Sequence, residues 1–276
     1  RPLGGRGVPP ALGLSLYLRH PHTIGPRCCR DVSRRRPLSA GLCDDVAVVT
    51  IDLNAELGEG FDRWALTDDE GLLDVVTSGN VACGFHAGDA RTMQRVVALR
   101  AERGVVVGAQ VSYRDLAGFG RRFIDVDPAE LTAEVGYQVG ALRAFAEAVG
   151  VRVAYVKPHG ALYNAVVHHE RQAAALVEAV RLLGDDLVAL GLRGSAWLRR
   201  AEEAGIRCAT KGFADRAYTP EGMLVPRGED GAVLSGPSIV TQALELAKGS
   251  ASSLCVHGDS PNAVEDARAV RDAPSS

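Results

Sequence analysis

Residues 80–89 read NVACGFHAGD: an apolar run stops at glycine, and His86 and Asp89 follow at once. The pattern returns in VAYVKPHG (153–160) and SLCVHGD (253–259). An imidazole placed where a buried strand runs out has a specific meaning in one architecture. In a parallel β/α barrel all strands end at one face, and that rim carries the active site. Four more runs qualify as strands: VAVVTIDL (46–53), VVVGAQV (105–111), LVALGL (187–192) and IRCATKGF (206–213). With 80–84, 153–157 and 253–257 they make seven. Their apolar residues are continuous rather than alternating, which predicts burial on both faces, as in a parallel sheet.

Amphipathic segments separate these runs. Thr67-Asp-Asp-Glu70 has the form of a capping box opening a helix over 68–77. Asp89 can cap a helix that Gly104 ends, and Asp127-Pro128 can start a long one that Gly150 stops. Further helices fit 168–183, 195–204, 237–248 and 261–272. The expected fold is a closed seven-stranded parallel (β/α) barrel, TIM-barrel-like, forming a single domain over 46–276. An open doubly wound sheet is the alternative, since right-handed crossovers permit either.

Composition narrows the function classes. The chain is 46% hydrophobic and 24% charged, ordinary for a globular enzyme, and no apolar stretch matches a membrane span. Residues 1–45 carry eight Arg against three Asp, whereas the remainder has 23 basic and 31 acidic side chains. So acidic a body is a poor nucleic-acid binder. Residues 1–45 read as a basic, disordered N-terminal extension. There is no C-x-x-C pair among the six cysteines; Cys83, Cys208 and Cys255 sit in apolar runs, as buried thiols of a reducing cytoplasm would.

Candidate chemistry gathers at the strand ends. In IDLNAELGEG (51–60), alternation points Asp52 and Asn54 the same way, and Glu56 and Glu59 follow. His86 is a candidate base, donor or ligand, while Asp89 fits a helix cap better than catalysis. The stretch GAQVSYRDLAGFGRRF (108–123) is longer than usual connections and reads as a binding loop. Its Gly118 and Gly120 supply mobility, and Arg121 and Arg122 suit a carboxylate or phosphate. VKPHGALYN (156–164) is densest: Lys157 is costly to desolvate unless it serves an anion, Pro158 and Gly160 hold His159, and Tyr163 and Asn164 add hydrogen-bonding groups. Asp215 and Arg216 follow the sixth strand, as substrate ligands or as an internal ion pair. His257 and Asp259 follow the seventh, where Asp259 or Ser260 could instead cap the last helix. Asp52 with two of the three histidines could hold a divalent metal, though no local spacing demands one. Neither a phosphate-binding G-x-x-x-x-G-K-[ST] loop nor a G-x-S-x-G elbow nor H-E-x-x-H occurs.

Taken in order, IDLNAELGEGF, SGNVACGFHAGD, SYRDLAGFGRR, VKPHGALYN, FADRAYTPEGMLVPR and CVHGD resemble the LamB/YcsF family over roughly residues 48–272. The resemblance implies a seven-stranded barrel related to sugar-deacetylase and glycosidase barrels. It also implies a hydrolase, the A subunit of an ATP-dependent 5-oxoprolinase working with B and C subunits. Such an enzyme converts 5-oxo-L-proline, ATP as co-substrate and water into L-glutamate, ADP and phosphate. Two departures stand out. Gln110 replaces the family's histidine in G-A-H-P-S-Y, and Lys211-Gly212 precede FADR where an acidic residue is common.

A five-membered lactam is an unstrained amide with little driving force to open, so coupling its opening to ATP is chemically sensible. On this expectation Arg121 or Arg122 holds the substrate carboxylate and Lys157 stabilises charge on the lactam oxygen. His159, His86 or Asp52 activates water, and His257 protonates the leaving nitrogen. Asn54, Glu56, Tyr163, Asn164, Asp215, Arg216 and Asp259 complete the expected substrate site. Two rivals remain: a metal-dependent amidase or deacetylase acting without ATP, and a non-catalytic subunit that carries substrate for a partner.

Overall fold

The structure, a computed structural model, describes residues 51–184, 186–249 and 251–273. The expected extension over 1–45, and residues 46–50 of the first expected strand, lie outside them. Seven strands run β1 Asp52–Leu57, β2 Ser78–Ala82, β3 Val106–Val111, β4 Val153–Pro158, β5 Val188–Gly191, β6 Cys208–Phe213 and β7 Ser253–Val256. They pair in parallel in sequence order, and β7 returns to β1 to close the barrel. The open sheet is thereby excluded.

Closure gives each strand an inward and an outward row. The outward row is apolar: Leu53, Ala55, Leu57, Val81, Val107, Val111, Val156 and Leu254 pack in one core against the surrounding helices. Those helices are α1 Asp69–Leu73, α2 Ala90–Arg103, α3 Pro128–Ala148, α4 Gly160–His168, α5 Glu170–Leu183, α6 Ala196–Glu203, α7 Pro237–Lys248 and α8 Ala263–Arg271. Asp89 caps α2 through the Thr92 amide at 2.8 Å, and Asp127 caps α3 just before Pro128. At α1 the cap is Asp68 rather than Thr67, whose hydroxyl bonds Asp69 instead. Helix α4 was not expected. The turn at Gly160, with φ +57, leads straight into a segment burying Leu162, Tyr163, Val166 and Val167, a helical spacing hidden behind the Lys-Pro-His-Gly motif.

The inward row of β1 is polar, and this corrects the expected end of that strand; on β5 the inward Val188 and Leu190 are apolar. Asp52, Asn54 and Glu56 do not follow the strand; they are its inward row. Asp52 sits at the strand's start, accepting hydrogen bonds from Thr77 Oγ1 (2.5 Å), Ser78 Oγ (2.8 Å) and Ser253 Oγ (2.6 Å). Four residues of strand, about 13 Å, separate it from Glu56. One layer up, Asn54 bonds Ser253, and Asn80 Nδ2 donates to Asn54 Oδ1 at 2.7 Å. The Tyr155 hydroxyl donates to Asn80 Oδ1 at 2.9 Å. Asp52 and Asn54 thus belong to the barrel's hydrogen-bonded floor, away from the rim.

Tyr155 reaches across the barrel only because Gly108 lacks a side chain. A Cβ there would stand 1.9 Å from Tyr155 Cε2, whereas at Gly140, exposed on α3, nothing lies within 4 Å. Gly108→Ala should destabilise the fold by about 1–3 kcal/mol through overpacking. Gly140→Ala should stabilise it by about 0.5–1 kcal/mol through helix propensity. Chemical denaturation of both variants measures the contrast; equal midpoints would contradict this packing.

Candidate active site

Above the floor the inward rows of β1, β3, β4 and β6 deliver Glu56, Gln110, Lys157 and Lys211, and the turns after β1, β2, β4 and β7 add Glu59, His86, His159 and His257. All are buried. Glu56 is the hub. One of its oxygens pairs with Lys157 Nζ and lies 3.6 Å from His159 Nδ1; the other lies 3.9 Å from His257 Nε2. Burial alone would raise the Glu56 pKa, but Lys157 and His257 outweigh it and hold the carboxyl well below the usual range. Burial likewise opposes the Lys157 charge, and Glu56 reverses that, raising its pKa.

Glu59 is the opposite case. Burial raises its pKa, and the nearby charges of Glu56 and Asp259 push it the same way. Two neighbouring carboxyls therefore differ in kind, one ionised and one disposed to hold a proton. Gln110 joins them to the histidines: its amide nitrogen lies 3.0 Å from Glu59 Oε1 and 2.7 Å from His159 Nδ1. His159 Nε2 stands 3.1 Å from the Phe119 carbonyl. That pattern assigns the proton to Nε2 and leaves Nδ1 as acceptor. Burial lowers the pKa of both His159 and His86, whose rings stack 4.0 Å apart.

His257 is oriented from behind. The Asp215 oxygens lie 3.0 and 2.9 Å from its Nδ1, and Asp215 also accepts its backbone N–H. Burial would raise the Asp215 pKa, but His257 reverses this and lowers it. Asp215 thus pairs with His257, and Arg216 turns away to bond the Ala232 and Val225 carbonyls of the loop after β6. The expected Asp215–Arg216 pair is not formed among the described ion pairs.

The 112–123 loop covers the cluster. Gln138 of α3 pins both backbone groups of Ser112, at 2.9 and 3.0 Å, and Asp115 gathers the Gly118 amide and the Arg122 guanidinium. Gly120 is therefore a site of close approach, not of mobility. With φ +67, a Cβ on it would lie 2.8 Å from His86 Cβ and 2.4 Å from Ser112 Oγ. Phe119 meets His86 and His159 edge-on at 5.7 and 5.4 Å.

The remaining expected residues divide. Arg122 is held by Asp115 at the surface, and Asn164 is exposed on α4. Neither reaches the cluster. Arg121 binds Asp259 at 2.6 Å, and Asp259 also takes Arg227 at 3.0 Å, so Asp259 is a clasp across the mouth and caps no helix. Tyr163 lies inside, edge-on to Phe213 at 5.4 Å. A metal set containing Asp52 is ruled out by the floor position of that residue. Glu59, His86 and His159 instead bring one ligand atom each within 4.8 Å of one another. Glu59, Gln110 and Lys211, which the sequence places at strand ends, join the site without an assigned role, and Phe119, Phe213 and Arg227 join it unannounced. Glu59, Gln110 and Lys211 lie at or just past strand ends, whereas no local pattern marks Phe119, Phe213 and Arg227.

Comparison with known proteins agrees with this geometry. The LamB/YcsF family profile matches residues 51–275. The 5-oxoprolinase A subunit from Streptomyces avermitilis is 64% identical over 235 residues, 80% of this chain and 94% of the relative. One of the same name from Mycobacterium leprae is 52% identical over 236 residues, again 80% and 94%. Among solved structures, the lactam utilization protein from Thermus thermophilus superposes with a TM-score of 0.76 at 38% identity, covering 81% of this chain and 95% of that one. On the match along most of its length and the shared barrel, this chain belongs to the LamB/YcsF family.

Proposed function

We propose that this chain is the A subunit of an ATP-dependent 5-oxoprolinase. It would open 5-oxo-L-proline to L-glutamate in the cytoplasm, in a complex with B and C subunits. Relatives carrying that name over nearly their whole length support the activity. The three described cysteines are all unpaired, in keeping with a reducing compartment. No described helix is long and apolar enough to cross a membrane. The observation that carries the mechanism is the Glu56 hub, which sets one cation and two imidazoles around a single buried point.

In this reading Lys157 stabilises negative charge developing on the lactam oxygen or on a phosphoryl group transferred to it from ATP. His159, neutral and unprotonated at Nδ1, takes the proton of the attacking water there once the Gln110 amide gives up its hydrogen bond to that nitrogen, and His86 packs against it. His257, held by Asp215 at Nδ1, presents Nε2 to the centre and delivers a proton to the leaving ring nitrogen. Phe119 and Gly120 keep other water out, strengthening each interaction beneath them. Of the residues expected to bind substrate but lying elsewhere, Asn54, Arg122 and Arg216 act through the scaffold, and Asn164 is exposed on α4.

The Glu59–His86–His159 cluster favours a second reading, a metal-assisted amidase. Both His86 ring nitrogens and Glu59 Oε2 are buried without partners, so these donors fit a divalent ion. Such an ion would supply Lewis-acid polarisation of the carbonyl. Stoichiometric metal in the purified chain, with turnover lost to chelators and independent of ATP, is its expected signature.

Reconstitution with the B and C proteins, followed by glutamate and ADP formation, tests the main reading. Lys157→Met should lower turnover by about 10²-fold or more, as loss of one charge-stabilising donor does. Asp52→Asn should leave turnover close to wild type and cost about 1–3 kcal/mol of stability through the floor hydrogen bonds. The reverse pattern would exchange the roles of rim and floor. For pH, a base works deprotonated, so its activity falls as pH drops through its folded pKa. Burial places His159 below the ordinary 6.5, so the acid limb of kcat/KM should lie below pH 6.5. A limb at or above 6.5 would rule His159 out as the base.

A further inference from the structure

We infer that Gln138 of α3 and Gln172 of α5 are positioning residues for the reaction: they fix the two ends of the 112–124 segment so that its middle holds the Phe119 carbonyl against His159. The inference rests on the reading of His159 as the base and deepens it by naming what keeps that base in place. Both glutamines are fully buried, at 0% exposure, and both turn their amides to this segment. Gln138 Oε1 accepts the Ser112 N–H at 2.9 Å, and its Nε2 donates to the Ser112 carbonyl at 3.0 Å. The same nitrogen lies 3.1 Å from the Glu134 carbonyl one turn back, which aims the amide. Gln172 Oε1 accepts the Tyr113 hydroxyl, and its Nε2 donates to the Ile124 carbonyl at 2.9 Å. One amide grips the segment where it leaves β3; the other joins that end to the far one.

Between those ends the segment is tied to itself. Ser112 lies just past β3 and is buried, so its N–H and C=O need partners and find them in Gln138. Asp115 draws in the tip, accepting from the Gly118 amide and the Arg122 side chain, while its carbonyl accepts the Gly120 N–H at 2.9 Å. A tip built that way moves as a unit, and its ends set where it sits. It sits on the turn after β4. There the Gly120 carbonyl accepts the Ala161 N–H at 2.8 Å, so closely that a Cβ on Gly160 would collide with it.

That seat delivers one acceptor to the base. His159 Nε2 lies 3.1 Å from the Phe119 carbonyl, which can only accept, so the contact keeps the proton on Nε2 and the ring in one plane. Gln110 supports the same state by donating to Nδ1, but an amide can turn over, and the Gln110 oxygen is itself buried without a partner. The cover carbonyl has no such freedom while the two glutamines hold. A shift of the tip would carry that carbonyl off Nε2 and let the ring rotate. Displacing a reacting group by about 1 Å costs up to about 10²-fold in rate.

The test uses Gln138→Met, Gln172→Met and Tyr113→Phe, with Thr132→Val as control. Thr132 Oγ1 of α3 stands 3.0 Å from the Ala175 carbonyl of α5, so its loss weakens the same helix pair without touching the segment. Kinetics with 5-oxoproline are measured in the complex with the B and C proteins. Exchange of the His159 Nε2–H with water is followed by NMR on the chain alone, isotope-labelled at histidine, in EDTA so that no metal occupies the ring. In the glutamine variants kcat should fall about tenfold to a hundredfold while KM for 5-oxoproline stays within about twofold, the mark of a contribution made in the transition state. Exchange should quicken about tenfold, as loss of hydrogen bonds that close a cover does. Tyr113→Phe, which leaves Gln138 in place, should show both effects more weakly; if a glutamine variant fails to fold, its presence or absence of effect decides. Thr132→Val should lower the melting temperature and change neither readout. Glutamine variants that lose stability yet keep wild-type kcat and exchange overturn the inference, and so does a raised KM at unchanged kcat. A wild-type complex without turnover defeats the 5-oxoprolinase reading, and the exchange measurement then judges the positioning role on its own.

Discussion

A carboxylate and an ammonium share the interior of a closed barrel, and most of the site follows from keeping the Glu56–Lys157 pair there. Removing two charges from water is costly, and their mutual attraction offsets the cost only when the remaining polar atoms find partners. The surrounding residues are arranged accordingly. His159 and His257 face the two Glu56 oxygens, Asp215 holds His257 from behind, and Gln110 links His159 to Glu59. Among the buried atoms left without partners, Glu56 Oε2, Glu59 Oε2 and both His86 nitrogens lie in this cluster. In a fold that satisfies most of its buried groups, such a gathering marks where a ligand completes the bonding.

The cover over that point is part of the same design. Phe119 and Gly120 lie directly on the histidine pair, and the loop carrying them is tied to α3 through Gln138 and to the far side of the mouth through Arg121 and Asp259. Arg227 joins the same carboxylate from the loop after β6. Three connections, after β3, β6 and β7, thus meet at Asp259. Such a clasp shields the centre from solvent, where a low local dielectric makes each charge count for more. These ion pairs are partly exposed, and surface pairs of this kind are individually weak.

Two positions where the chain departs from the family pattern have structural consequences. Gln110 takes the place of an imidazole and cannot accept a proton, yet its amide holds His159 in one tautomer and reaches Glu59. Lys211 brings a second cation into the interior beside Lys157 with only one ionised hub carboxylate to answer both. The local charge balance is therefore more positive than Glu56 alone can neutralise, the opposite of what an acidic residue at this position would give.

The number of strands, their parallel order and the helix caps at Asp89 and Asp127 could be read from the sequence, because apolar runs and capping residues are local signals set by backbone geometry. So could the convergence of His86, Lys157, His159 and His257, since strand ends in a closed parallel barrel share one rim. The start of β1 could not. An inward row that is polar breaks the rule equating buried strands with apolar runs, so Asp52 and Asn54 looked like rim residues although they build the floor. Nor could the sequence say which partner each charged group takes. Asp215 choosing His257 over its neighbour Arg216 depends on contact between segments far apart in the chain, and Arg122 retiring to Asp115 within one loop is a choice among nearby partners that no residue pattern fixes. Local pattern determines which elements form; only closure of the barrel decides which side chains share its interior.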